Sequence, residues 1–468
     1  MIRERGLDSW LPTYLRETLL RRNLRRKRRQ QLTHILFLVC DHFEPRHGVK
    51  QPEDARSRIR TWHTGYRQLQ EHQHTRYGLK PLHTWFYPPH HGLEHLAALA
   101  SMAYDGLGEV ELHYHHQDDT EQSLRVNMKS ALADFRSAGL LLQSGDPPRE
   151  RFGFIHGDWA LDNSADGRFC GVNSELSLLE ELDCWGDLTM PSANYCQTRK
   201  INSIYYAIDD PKAPKSHDWG TDARVGAAHA PGLLMIQGPI GINFRAPRYP
   251  RIENASLTTL NWGRTDRIRI WLNCHIHVRD RPEWLFVKLH THGAIEEDFD
   301  ALFGDKARLM HQTLAEQFND GKRYRLHYVT ARQAFNLIKA AESGMGGDPS
   351  PYFDYELAKQ ASSYYCLDAR HRLECCTPER LVLRDIEPGK HSTLKLDYLG
   401  LKSISGSLRS CVVDGARSMV ELELHGGHGE VTLQGNSVSM NCAREATVCS
   451  RSNGAVTLAC TGPVTLNF

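Results

Sequence analysis

The chain has 468 residues, 40% of them apolar and 24% charged. This is the composition of an ordinary globular protein too long for one hydrophobic core, so two or three domains of roughly 100–200 residues are expected. Its 57 Lys and Arg against 56 Asp and Glu leave a net charge of +1, which argues against bulk attraction to nucleic acid and sets aside a specific nucleic-acid partner. None of the 12 cysteines forms a CxxC pair, which sets aside a zinc ribbon or a thioredoxin-type site and leaves a cytoplasmic protein with mostly reduced thiols as the expectation.

The chain opens on "MIRERGLDSWLPTYLRE", which is charged and lacks the apolar run of a secretory signal. No window supplies the roughly 18 apolar residues of a spanning helix. Within residues 1–32, Leu11, Leu15, Leu19, Leu20 and Leu24 recur at helical spacing beside a basic block from Arg21 to Arg29. Two readings follow: a helix whose leucines pack on the next domain, or one that lies through residues 11–30 on an anionic membrane surface.

From Thr33 the chain alternates short apolar runs with longer amphipathic stretches, the pattern of βα units. The expected strands are "HILFLVC", "LHTWFY", "EVELHYH", "RFGFIH", "GDLTM", "LLMIQ", "LFVKLH" and "RLHYVT". "LEHLAALASMAY" and "SLRVNMKSALADFRSAG" have helical periodicity, with Gly139 as a stop. The expectation is a parallel (β/α) barrel over residues 33–345. "AESGMGGDPSPYFD" reads as a linker, and residues 355–468 turn to short alternating runs such as "SMVELELHGG" and "GAVTLACTGPVTLNF", which predict a β-rich, sandwich-like domain.

In a parallel barrel the C-terminal strand ends meet at one face, so residues distant in sequence become neighbours. The ends here are rich in coordinating groups: "VCDHFEP" carries Asp41, His42 and Glu44; "LHYHHQDD" carries His113, His115 and His116; "FIHGDWALDNS" carries His156, Asp158 and Trp159; and "LHTHG" carries His290 and His292. Residues i and i+2 of a strand point the same way, so His113 and His115 can share one ion. A third ligand from His42 or Asp41 would leave the open position that a catalytic zinc needs.

In this order, "FLVCDHFEP", "EVELHYHH", "FGFIHGDWALDNS" and "VKLHTHG" resemble a divergent member of the NodB-type polysaccharide deacetylases, carbohydrate esterase family 4, over about residues 33–335. The resemblance implies a distorted barrel, one divalent ion, zinc foremost for this nitrogen-rich set, and removal of acetyl groups from sugars. Carried over by position, Asp41 matches the base, His42 stands at the metal-binding Asp, and His113 matches the first metal histidine. The second metal histidine falls on Gln117, so His115 or His116 substitutes. No Arg stands in "FIHGDW", whose orienting role passes to His156. Asp187 in "WGDLTMPSA" resembles the Asp that supports catalysis, and His292 or His290 the general acid. His156, Asp158, Trp159 and His290 are assigned to the substrate.

The leading expectation is therefore a metal-dependent hydrolase that deacetylates an amino sugar of a glycan or glycolipid in surface-polysaccharide metabolism. Two alternatives stand beside it: a degenerate barrel that binds glycan without turnover, and an amidohydrolase-like amide or ester hydrolase. The second calls for a further metal-binding Asp at the last strand, where "RLHYVTARQ" offers His327 but no Asp.

Overall fold

The computed structural model describes residues 3–28, 30–144, 149–227, 230–245, 250–358, 365–367, 369, 371–376, 380–388, 392–435, 441–442, 446–452 and 455–467. By their internal contacts they form two units. One comprises Met1–His91, Leu107–Lys129 and Ser144–Ala358; the other comprises Gly92–Gly106, Ser130–Gln143 and Lys359–Phe468.

The first unit is built on eight parallel strands: β1 Thr33–Phe43, β2 His83–Tyr87, β3 Gly108–Tyr114, β4 Arg149–His156, β5 Cys184–Asp187, β6 Leu233–Ile236, β7 Trp284–Gly293 and β8 Tyr324–Tyr328. β1 is buried over its whole length, as expected of an apolar run covered on both faces. It pairs with β7 along 34–43; on its other edge, residues 33–37 pair with β8 and 39–42 with β2. β2, β3, β4, β5 and β6 follow in order, and antiparallel strands Ile204–Ala207 and Thr221–Asp222 extend the far edge.

No ladder among the described residues joins β7 to β6, so the expected closed barrel is found as a mixed α/β sheet with a parallel centre. The sheet is nonetheless curled. The buried Lys288 on β7 donates its ammonium protons to the carbonyls of Leu188 and, at 2.8 Å, Met190, just beyond β5.

Successive side chains of β1 face opposite sides of the sheet. Phe37 meets Trp271 and His311 on the side covered by helices Thr265–Cys274 and Asp305–Gln317. The helix α2 (Pro52–Tyr77) covers the same side near the strand ends, with Trp62 against Phe43 and His83. α2 starts with Pro52 and the acidic pair Glu53 and Asp54, and it stops at Gly78 with φ 68°, the left-handed cap that glycine allows. His42 lies on the opposite side of β1.

The N-terminal helix α1, Leu7–Lys27, docks through its aromatic residues and arginines. Trp10 is fully buried with Ala193, Ile201 and Ile240, and Arg21 donates to the carbonyls of Asn202, at 2.8 Å, and Cys274. Of the five leucines expected to pack, Leu11 and Leu24 are half-buried, whereas Leu15, Leu19 and Leu20 remain 60%, 65% and 58% exposed. No described helix is long and apolar enough to cross a membrane.

In the second unit the segment after residue 359 is all β, as the alternating runs predict. Its strands form two six-stranded sheets with antiparallel pairing. Leu383, Leu394, Ile404, Val420, Leu433 and Leu458 lie in one buried apolar core fed by both sheets.

Candidate functional site

The "HYHH" segment ends β3, and its alternation divides the histidines between two places. His113 and His115 fall on the side of His42, with rings of His42 and His113 4.7 Å apart. Tyr114 and His116 fall on the helix-covered side, where His116 meets His156 of β4 at a ring separation of 4.7 Å. Each pair joins a glutamate.

The first donor set is Glu44, His113 and His115. His113 Nδ1 donates to the Ile155 carbonyl at 2.9 Å, which leaves Nε2 as a lone pair. His115 Nδ1 faces Asp158 Oδ2 at 3.2 Å, and its Nε2 lies 2.9 Å from His113 Nε2 and 3.1 Å from Glu44 Oε1. With His113 Nε2 3.9 Å from Glu44 Oε1, the circle through the three atoms has a radius of about 2.0 Å, the usual zinc–nitrogen and zinc–oxygen distance. The residues present therefore fit a zinc-sized ion held by two imidazoles and a carboxylate. His115 and Asp158 are 29% and 46% exposed, so the set is open on one side.

The electrostatics belong to the metal-free set. Burial pushes the Glu44 carboxyl up, but His115, His113 and His292 outweigh it and hold the group at about 2. Burial opposes charge on His115, yet Asp158 and Glu44 raise it to about 9. Burial brings His113 down to about 3.

Around this set lie His42, His290, His292 and Trp159. His292 is 5.0 Å from His42 between rings, and Trp159 is 6.0 Å from both His42 and His290. His42 Nε2, His290 Nδ1 and Trp159 Nε1 are buried without a hydrogen-bond partner among the described residues. His42, expected as a ligand, borders the donor set, and Glu44, to which the sequence motifs assign no role, is in it. The pattern held a signal for Glu44: it stands two positions after His42, with the same strand parity.

The second donor set is His116, His156, Glu175 and Cys170. His116 had been expected beside His113 and His115, and His156 at the substrate. The fully buried His156 is anchored at its main chain, where its N–H donates to Thr189 Oγ1 at 2.9 Å. Thr189 in turn donates its hydroxyl to Asp187 Oδ2 at 2.6 Å. Asp187 thus braces the β4 end through Thr189, and burial shifts its carboxyl upward against those hydrogen bonds.

Asp41, expected as the base, is fully buried on the α2 side of β1. Its Oδ1 accepts from the Gly293 N–H at 2.5 Å and its Oδ2 lies 3.5 Å from His83 Nδ1, while burial pushes the carboxyl up to about 8. The alternation that turns His42 toward the first donor set turns Asp41 away from it.

No known protein family matches the sequence, and no curated protein does. Among solved structures, the catalytic module of a family 98 glycoside hydrolase from Streptococcus pneumoniae TIGR4 aligns over 92% of this chain and 84% of its own at 8% identity and a TM-score of 0.19. A chitinase from Bacillus thuringiensis aligns over 92% of this chain and 71% of its own at 7% identity and a TM-score of 0.16. Overlaps this low establish no shared fold.

Proposed function

We propose that the chain is a metal-dependent hydrolase acting on an acetylated carbohydrate, with a curled sheet of the polysaccharide-deacetylase kind. The observation that carries this reading is the open set of Glu44, His113 and His115, whose three ligand atoms surround a zinc-sized position. When bound, the ion polarises the acyl carbonyl and makes a water acidic.

Glu44, His113 and His115 hold the ion, and Ile155 and Asp158 fix the tautomers of the two imidazoles, as outer partners of metal ligands do. Asp158 is exposed and beside His115, so it can also take a proton from a water at the open side, the task the resemblance gave to Asp41. His292, partly exposed and in ring contact with His42 and Trp159, can return a proton to the leaving nitrogen or oxygen. Trp159, in ring contact with His42, His290 and His292, offers a face for a sugar ring. Asp41 and Asp187 position strand ends.

The burial of Asp41 also supports the glycan-binding reading without turnover, and acetate release from a panel of acetylated saccharides separates the two. His113→Ala is expected to lose one stoichiometric ion and the acetate-releasing activity together. A His113→Ala protein that keeps full metal and full activity removes the assignment.

A further inference from the structure

The structure assigns a second metal site to this chain: we propose that His116, His156, Glu175 and Cys170 form a closed, structural zinc site that fastens the segment 157–174 to the ends of β3 and β4. It is independent of the catalytic reading of Glu44, His113 and His115.

The two donor sets have the same construction. In the first, His113 gives its Nδ1 proton to a main-chain carbonyl, His115 turns Nδ1 to an aspartate, and Glu44 adds an oxygen. In the second, His156 gives its Nδ1 proton to the Gly157 carbonyl at 2.5 Å, and His116 Nδ1 lies 3.1 Å from Asp119 Oδ2. Glu175 Oε1 then lies 3.1 Å from His116 Nε2 and 3.4 Å from His156 Nε2, with the two nitrogens 2.9 Å apart. The circle through these three atoms has a radius of about 1.8 Å, so a point about 2.1 Å from each lies roughly 1 Å out of their plane.

His116 Nδ1 makes no hydrogen bond among the described residues; with its proton placed there, facing the Asp119 carboxylate, three lone pairs converge on that point. A single added proton on His116 can be aimed at Glu175 or at His156 but not at both, whereas a cation satisfies all three. The fourth donor is on hand. The Cys170 sulfur is buried within 4.8 Å of the other ligand atoms; it accepts the Val172 N–H at 3.4 Å, and its thiol lies 3.6 Å from Glu175 Oε2, so the thiol already points at the carboxylate of the set. Two nitrogens, one oxygen and one sulfur suit tetrahedral zinc, with the Cys170 proton released to solvent as the ion binds.

Exposure separates the two sets. The side chains of His116, His156 and Glu175 are 3%, 0% and 1% exposed, and Cys170 is 0% exposed, so no position is left open to substrate. The site has work to do there. Asp158, Trp159, Asp162, Asn163, Asp166 and Phe169 all adopt positive φ, so the segment has little regular structure of its own, and it carries Asp158 and Trp159 to the catalytic side.

The test is metal analysis of the full-length protein after dialysis against metal-free buffer. Two zinc ions per chain are expected in the wild type and one in His113→Ala. Reloading His113→Ala with cobalt should produce a thiolate-to-cobalt charge-transfer band in the near ultraviolet, lost in His113→Ala/Cys170→Ser. A His113→Ala protein without metal, or a cobalt spectrum that Cys170→Ser leaves unchanged, overturns the assignment. If the first set fails instead, the wild type holds one ion, which Cys170→Ser disturbs and His113→Ala does not.

Discussion

The first donor set should take its ion with a steep dependence on pH, and the number follows from its electrostatics. Above pH 6 Glu44, at about 2, and His113, at about 3, have no proton to lose. His115 does: Asp158 and Glu44 hold it as an imidazolium up to about 9, and it must surrender the Nε2 proton before that nitrogen can bind metal. Apparent affinity should therefore rise about tenfold per pH unit up to about 9, or about 100-fold between pH 6 and pH 8, with close to one proton released per ion at pH 7. Zinc titration calorimetry of His116→Ala/Cys170→Ser, in buffers of different ionisation enthalpy, reads both quantities without competition from the second set. Asp158→Asn removes one of the two groups that raise His115, so the plateau should begin at lower pH. The metal-free fold behaves in the opposite sense: His115 lies above its ordinary value of 6.5, so its contribution to stability is complete below that pH and fades as pH rises through about 9. An affinity flat from pH 6 to 8, with no proton released, would refute the place of His115 in the set.

Three further outcomes are expected. A Cβ at Gly157 would lie 2.5 Å from His115 Cγ and Nδ1, so Gly157→Ala should displace that imidazole and weaken zinc binding about 10–100-fold at unchanged helix content; full affinity would show that His115 is not held from that side. Arg332, 1% exposed, binds Glu109 at 2.8 Å and Asp354 at 2.5 Å, so Arg332→Met should lower unfolding free energy by about 3–5 kcal/mol in urea titration, and a loss below ~1 kcal/mol would contradict the burial argument. The exposed Leu15 and Leu19 beside exposed Arg16 and Arg22 should make the chain cosediment with anionic vesicles, an association that Leu19→Glu and high salt both abolish; salt-independent sedimentation would remove the proposed membrane contact.

Much of the sheet was legible because its strands are fully buried. "HILFLVC" and "LFVKLH" are apolar runs suited to strands covered on both faces, and they are the paired strands β1 and β7. The short "GDLTM" was harder: β5 occupies Cys184–Asp187, and Leu188 and Met190 instead give their carbonyls to Lys288. Closure of the sheet could not be read at all, since it depends on how far successive strands twist and not on which residues they contain. The leucines of α1 misled for a related reason. Helical spacing puts Leu15 and Leu19 away from Trp10, Tyr14 and Arg21, and the face that carries these three docks because Trp10 is fully buried and Arg21 finds carbonyls there.

The site shows what strand parity can and cannot decide. Parity places His113 with His115 and Tyr114 with His116, and the same rule places His42 with Glu44 and apart from Asp41. Combined with the register of the strands, it separates His113 and His115 from His116 and sets Asp41 on the face opposite His42. It could not have found Glu175 or Cys170, which lie beyond β4 in a segment whose path is set by positive φ at Asp158, Trp159 and Asp162. That asymmetry follows from the chemistry proposed for each set. A catalytic ion must sit where strand ends open to solvent, so its ligands fall in short quotable motifs. An ion proposed to fasten a loop must draw at least one ligand from the loop itself, here Cys170, whose place no strand period marks.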